Sequence, residues 1–416
     1  MKKETKKAPI IRFRGFTDDW EQRKLAQFFF TATEKNDDGE YSQADILAAS
    51  LGTELEKKHI FFGLRSTAES VKKYRKVQLG DIVYTKSPIK HYPNGIFRTC
   101  KKIPGIVPSM YCVYHKRGNI KINTSIVQCF FENKYRLDNY LRPLVNVGAR
   151  NNVNITDEEA LKGTITIPIN IEEQTKIVNL IEKLTILITL HQHKLDQLKK
   201  LKKYFLQNMF PAKGEKVPRI RFNGFTGDWE QKKLIDVCDY VDYRGKTPSK
   251  TTSGIFLVTA KNIKDGYIDY ESSQEYISEN DYDEVMHRGK PKIGDVLITT
   301  EAPCGNVAQV NKENIALAQR IIKYRGHSHV MDNAYLKYYL LSPEFQEILY
   351  AKSSGGTVQG IKGSILHKQK ISFPKYEEQV KIGQYLDDLD NLITLHQRKL
   401  DQLQTMKKFM LQNMFI

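Results

Sequence analysis

No stretch of this 416-residue chain approaches the run of about 20 apolar residues that spans a bilayer, which argues against a transmembrane helix. Met1 to Lys7 is a polar, lysine-rich run with no apolar stretch behind it, a pattern that predicts no secretory signal. Cysteine is scarce: the five residues Cys100, Cys112, Cys129, Cys238 and Cys304 are odd in number and form no Cys-x-x-Cys pair. A disulfide framework and a cysteine zinc site are both disfavoured, and buried free thiols in a reducing cytoplasm are expected. Signatures of chemistry are missing too. The chain has no G-x-x-x-x-G-K-[ST] phosphate loop, no G-x-G-x-x-G after a strand, no Asn/Asp-Pro-Pro-aromatic methyltransferase segment and no His-Glu-x-x-His. Asp45 with Glu56-Lys57-Lys58 imitates a nuclease pattern of the kind a lysine-rich chain produces by chance. His327-Ser-His329 lacks a carboxylate or cysteine at ligand spacing and reads as a polar loop. No catalytic residue, cofactor or metal is expected.

What the chain has is charge. It carries 65 Lys/Arg against 48 Asp/Glu, a net +17, which suits a polyanionic partner. The excess is uneven: residues 21–167 hold 23 basic against 15 acidic side chains, whereas residues 230–373 hold 19 against 18. The alternative is that the excess of positive charge merely keeps the protein soluble.

It also has a repeat. IRFRGFTDDWEQRKL (Ile11 to Leu25) recurs as IRFNGFTGDWEQKKL (Ile220 to Leu234), with 12 of 15 positions identical and both tryptophans, Trp20 and Trp229, inside it. Glu172 to Phe210 recurs as Glu377 to Phe415, with 24 of 39 identical, including ITLHQHKLDQL against ITLHQRKLDQL and a shared LQNMF close. The order is therefore short motif, variable block, long motif, then the same again. The boundaries are 1–25, 26–167, 168–216, 217–234, 235–373 and 374–416. The variable blocks share little beyond anchors: Leu-Gly-Asp-Ile-Val at 79–83 against Ile-Gly-Asp-Val-Leu at 293–297, and a short strand ending in proline at the exit. Each Gly-Asp pair predicts a turn into a β-strand.

The long motifs read as helices with a heptad seam. Ile177, Ile181, Leu184, Ile188, Leu195, Leu198 and Phe205 are matched by Ile382, Leu386, Leu389, Ile393, Leu400, Leu403 and Met410. Thirty-nine helical residues make a rod of about 58 Å. His191 and His396 are polar seam positions at the middle of each copy. If the rods pack antiparallel, the two histidines meet and set register. The alternative is that both tilt to solvent. A second apolar face, Leu187, Leu190, Leu201 and Tyr204 with Leu392, Leu395, Met406 and Phe409, exceeds what a two-helix rod can bury and predicts partner helices docked there.

The motifs P-x-I-R-F-x-G-F-T-x-x-W-E-x-x-K-L and EEQxKI…ITLHQxKLDQL…LQNMF, in this duplicated order, resemble the specificity (S) subunits of bacterial type I restriction–modification enzymes along essentially the whole chain. The resemblance implies an α+β fold: two mixed α/β target-recognition domains joined by two long antiparallel helices with a pseudo-two-fold repeat. It implies a non-catalytic, cytoplasmic subunit that binds an asymmetric bipartite DNA target. It also implies two methyltransferase (M) subunits, which bind the S-adenosylmethionine for N6-adenine methylation, and restriction (R) subunits joined through the complex. The amino-terminal short motif, Pro9 to Leu25, should then meet the carboxy-terminal end of the chain.

Phosphate contacts give affinity and base contacts give specificity, so cations beside aromatics and amides are the DNA candidates. In the first block these are Lys72, Lys73, Arg75, Lys86, Arg98, Lys101 and the exit-loop residues Arg150, Asn151 and Asn152, because arginine suits guanine and asparagine suits adenine. In the second block they are Arg244, Lys246, Lys261, Asn262, Gln319, Arg320, Gln359 and Lys362. Rival readings are a stand-alone DNA-binding regulator or architectural protein, and a coiled-coil scaffold.

Overall fold

The computed structural model describes residues 8–49, 54–57, 67–86, 92–118, 120–147, 153–243, 248–355 and 359–416. The chain divides into two compact units: residues 1–192 with 398–416, and residues 193–397. Each long helix is thus shared between the two units and does not stand as a body of its own. No helix among the described residues is long and apolar enough to cross a membrane.

The first unit is built on a four-stranded antiparallel sheet in the order Phe29–Thr31, Tyr111–Lys116, Ile82–Thr85, Ile96–Thr99. Ser125–Phe131 is a helix whose seven residues are all buried, and its Phe131 ring stacks 4.4 Å from that of Phe97 on the sheet. A separate ribbon pairs Glu21–Lys24 with Thr164–Ile167, so the short motif and the exit strand zip together before the long helix starts.

The second unit repeats this plan on unlike sequence. Its main sheet runs Cys238–Asp242, Ile321–Gly326, Val296–Thr300, Cys304–Gln309, which is the same first-fourth-second-third order. Glu230–Lys233 pairs with Lys370–Phe373 as the matching ribbon. A further sheet with its own core, in the order Lys250–Thr251, Tyr276–Ile277, Ile255–Val258, Ile315–Leu317, belongs to this unit.

The Gly-Asp anchors do what their residues predict. Gly80 and Gly294 take positive φ (87° and 92°), which glycine adopts without steric cost. The carboxylates behind them accept from the backbone N–H of Gln78 (2.6 Å) and Lys292 (2.8 Å), closing the turn into the central strand. Each carboxylate is buried and meets a cation-capable side chain on the next strand: Asp81 with His115 Nδ1 (2.6 Å), and Asp295 with both nitrogens of an Arg325 fork (2.6 Å each). Burial pushes the Asp81 carboxyl above its ordinary value.

The long helices span Ile171–Asn208 and Tyr376–Asn413. They stop at the asparagine of LQNMF, two residues short of the repeat, because Met209-Phe210 and Met414-Phe415 turn out of the helix into the two cores. Within the first unit, Ile177 and Ile181 share a core with Leu411, Met414 and Phe415. Within the second, the Phe205 ring lies 5.2 Å from Tyr385 and Lys202 pairs with Asp390 (2.6 Å). In each unit the start of one helix therefore lies against the end of the other.

The EEQ opening of each helix is a joint. Glu173 and Glu378, each about 1% exposed, receive forks from Arg12 (2.7 and 2.9 Å) and Arg221 (2.8 and 2.8 Å) of the short motifs. Gln174 donates to Pro168 O (2.7 Å) and accepts from Asn123 N–H (2.9 Å); Gln379 donates to Pro374 O (2.9 Å) and accepts from Asp332 N–H (2.9 Å). The short motif also grips the far helix end: Ile220 N–H donates to Asn208 O (2.9 Å), and Ile11 N–H donates to Asn413 O (3.0 Å). Trp20 sits edge-on to Phe415 at 5.9 Å. The expected meeting of the amino-terminal motif with the carboxy-terminal end is thus present inside the first unit.

All five cysteines are free, four of them buried, and burial pushes the Cys100 and Cys238 thiols up to about 12. Gly383, the glycine inside the second rod, lies where helix Asn333–Leu341 crosses. A Cβ there would come within 2.8 Å of Ala334 Cβ and 2.9 Å of Tyr335 N. The first rod has Val178 at the matching position. Replacing Gly383 with Val should destabilise the second unit by about 2 kcal/mol through overpacking, read as an earlier denaturant midpoint; an unchanged midpoint would refute the crossing.

Candidate nucleic-acid interface

Four candidate cations lie at corresponding ends of the central strands: Arg75 and Lys86 in the first unit, Lys261 and Arg320 in the second. At the Gly-Asp end the buried carboxylates are satisfied by their partners. At the opposite end, strand Ile82–Thr85 leads into Lys86, whose N–H donates to Met110 O (3.4 Å). Strand Val296–Thr300 likewise ends with Thr300 N–H donating to Arg320 O (2.8 Å). By register, Met110 and Arg320 hold the same place in the two sheets, each just before the strand paired with the central one.

In the first unit this end is organised by Asp157. It pairs with Arg75 and with Lys86 (3.0 Å) and accepts from the Cys112 thiol (3.1 Å), while its backbone carbonyl accepts from Tyr114 Oη (3.0 Å). Burial works to raise the Asp157 carboxyl, but the bonds from Cys112, Arg75 and Lys86 outweigh it and hold the group below the ordinary range. Lys72 and Lys73 are exposed at the close of helix Ala68–Lys72.

Other first-unit candidates have structural employment. Arg98 is 6% exposed, donates to Phe97 O (2.9 Å) and lines a cleft of about 570 Å³ beside Glu132 and Lys407. Burial lowers its pKa while the Glu132 charge opposes the shift. Arg98 is therefore engaged mainly by the interior of the first unit. Lys101 is bound between Glu54 (3.2 Å) and Glu182 (2.9 Å), tying the sheet to the first long helix. Lys76 is held by Asp38 (2.7 Å) and Glu40 (2.9 Å). Asp45 and Lys57 form an ion pair (2.8 Å) that helps bring Asp45 down to about 2. Arg150, Asn151 and Asn152 lie outside the described residues, as do Arg244 and Lys246 in the second unit.

In the second unit, Lys261, Gln319 and Arg320 line one cleft of about 320 Å³ together with Thr259, Lys250 and Glu275. Lys250 pairs with Glu275 (2.8 Å) and holds that carboxyl below its usual range. Asn262, next to Lys261, is wholly buried. Its Oδ1 accepts from Thr259 N–H (2.9 Å), and its Nδ2 donates to Asp269 O (2.8 Å) and Ser273 O (2.9 Å), so it shapes a turn and cannot read a base. Gln359 is half-buried and accepts from Ser353 Oγ (3.4 Å); Lys362 is exposed just before the short helix Gly363–Leu366. Gly360 bridges to Glu301, which brings this loop to the Arg320 end of the sheet. Glu301 and Lys250 carried no sequence signal, because their importance lies in partners, Arg320 and Glu275, that are remote in the chain.

On the long helices, Leu195, Leu198, Leu400 and Leu403 are buried seam residues, and His191 and His396 are half-buried. Leu187, Leu190, Leu201, Tyr204, Leu392, Leu395, Met406 and Phe409 are 39–62% exposed, a repeated apolar stripe.

Residues 226–405 match the family model of the type I restriction modification DNA specificity domain. That stretch of the chain is thus similar to a type I DNA specificity domain. Among curated proteins, it is 30% identical over 195 residues to the type I restriction enzyme MjaIX specificity subunit of Methanocaldococcus jannaschii, covering 45% of this chain and 44% of that one. It is 26% identical over 262 residues to the MjaVIII specificity subunit of the same organism, covering 59% and 60%. The matched stretches thus span roughly half of these curated relatives. The type I restriction–modification S subunit from M. genitalium shares the fold, with a TM-score of 0.61 over 98% of this chain and 99% of that one at 12% identity.

Asp157 supports a prediction for the first unit. Its lowered folded-state pKa means that its stabilisation is complete above the ordinary carboxylate value, about pH 4, and is lost as pH falls through the lower, folded value. Asp157→Asn should abolish that acid-side loss and, by leaving Arg75 and Lys86 uncompensated, lower the melting temperature at pH 7 while raising non-specific duplex affinity. Melting curves across pH 2–7 with a binding isotherm at fixed salt check this; an unchanged pH 7 melting temperature counts against the hub.

Proposed function

We propose that this chain is a non-catalytic specificity subunit of a type I restriction–modification complex, without a cofactor of its own, acting in the cytoplasm. Each unit reads one half of an asymmetric bipartite DNA target. One observation carries the reading: the same sheet scaffold occurs twice, and at the same strand end it bears unlike side chains, Lys86 and Met110 in one unit and Glu301 and Arg320 in the other. A duplicated frame with divergent tips suits two different half-sites better than it suits a symmetric regulator. The specificity-domain match and the named specificity subunits among its relatives support the same reading.

The repeated apolar stripe from Leu187 to Tyr204 and from Leu392 to Phe409 is where two methyltransferase subunits dock, with restriction subunits joining through the complex. The long helices hold the half-sites at a set spacing, with His191 and His396 meeting at mid-rod to fix register.

Two experiments test this. Base-resolution adenine-methylation mapping in a host carrying the partner methyltransferase, with and without this chain, should reveal a bipartite motif that depends on the chain. Exchanging residues 26–167 for another specificity subunit's block should replace one half of that motif and leave the other. An unchanged motif refutes the assignment, and tight specific binding with no methylation favours a stand-alone regulator. Separately, a His191→Cys, His396→Cys double variant should form an intramolecular disulfide under mild oxidant, visible as a mobility shift on non-reducing gels; its absence refutes the mid-rod pairing.

A further inference from the structure

Arg320 occupies a backbone position that does not suit arginine. Its φ is +77°, in the left-handed region where a side chain clashes with the backbone and glycine or asparagine is the usual occupant. The conformation is locked from behind by the buried Thr300, whose N–H (2.8 Å) and Oγ1 (3.2 Å) both donate to the Arg320 carbonyl. Packing gives no reason for the large side chain. Arg320 is 48% exposed, and it pairs with Glu301, itself 43% exposed. The matching place in the first unit holds Met110, half-exposed and at an ordinary φ. The frame thus tolerates unrelated side chains there, and in this unit it holds an arginine against local backbone preference.

The geometry around it is that of a reading head. Glu301 Oε2 lies 3.3 Å from Arg320 Nε, on the side edge of the planar guanidinium, whose end-on edge is a second two-donor fork. Gln319 and Lys261 line the same cleft of about 320 Å³. We propose that Arg320 is a specificity-determining residue that contacts guanine O6 and N7 in the half-site read by the second unit. Glu301 is its positioning residue, and Lys261 supplies a neighbouring backbone-phosphate contact. This rests on the DNA-recognition reading above and adds to it a base, a residue and a unit.

The test uses the full chain in complex with its methyltransferase, selecting from a pool of random-sequence duplex oligonucleotides. Arg320→Gly relieves the backbone conflict while removing the guanidinium, so its melting temperature should stay level or rise. The selected motif should keep its first half and its spacing, with one G·C pair of the second half relaxed. Affinity for the wild-type motif should fall about 10- to 100-fold, in keeping with the loss of one bidentate base contact. Arg320→Lys should not restore the lost position, since an ammonium cannot fork. Glu301→Gln should keep the base preference but weaken it. A motif unchanged in Arg320→Gly, an equal loss of affinity for every sequence, or a fall in melting temperature overturns the proposal. A wild-type complex that selects no bipartite motif would overturn the functional reading itself, an outcome visible before any variant is made.

Discussion

The structure depends on one contact made twice: the arginine of a short motif forked onto a buried glutamate at the head of a long helix. Arg12 meets Glu173 and Arg221 meets Glu378, with the carboxylates almost wholly removed from water. An acidic residue in a helix's first turn is favoured by the macrodipole, and a bidentate partner offsets the cost of burying it. Leaving such a carboxylate without its arginine would cost about 3–5 kcal/mol. The residue just before each arginine holds the last turn of the other helix, through Ile11 to Asn413 and Ile220 to Asn208. Each motif is therefore a clasp that ties one helix's beginning to the other's end. In the second unit the clasp follows the helix in sequence. In the first unit it closes between Ile11 and Asn413, far apart in the chain, and the bonds are the same. The geometry of the clasp, not chain connectivity, sets how the helix ends are paired.

Much of this frame was legible in the sequence because it is repeated. Two copies of EEQ and of IRFxGFT, at nearly constant offsets, announced a duplicated scaffold, and the seam positions Leu195, Leu198, Leu400 and Leu403 followed from heptad spacing. The helix ends were overrun by two residues, since Met-Phe continues the apolar pattern while leaving the helix to fill a core. The shared sheet was invisible for a different reason. Its central strands, Ile82–Thr85 and Val296–Thr300, are buried on both faces, so they lack the alternation that marks a strand, and only the Gly-Asp turns before them survived as a signal.

Site residues were harder to read than fold, because a run of charges does not say which of them are already paired. Lys72-Lys73-Tyr74-Arg75-Lys76 looks like one basic patch. In the structure Arg75 answers Asp157, 82 positions away, Lys76 answers Asp38 and Glu40, and Lys72 and Lys73 face solvent. Arg98 and Asn262 fit the donor chemistry of base readers and are consumed by the interior. Several of their partners are backbone carbonyls and amides, which carry no sequence signature at all.

Net charge misleads in the same way. The first block has the larger surplus of cations, yet several of them are held by internal carboxylates. The nearly neutral second block turns Lys261 and Arg320 into one cleft and leaves much of its acid elsewhere. Affinity for a polyanion scales with cations that can displace counterions, whereas discrimination among sequences depends on a few donors fixed in direction. The frame pairs its buried Asp81 and Asp295 at the same strand end in both units. The far end differs between the two units. Asp157 ties Arg75 and Lys86 together in the first. In the second, Arg320 pairs with Glu301 at the surface, where its guanidinium can answer to a ligand without giving up a buried partner.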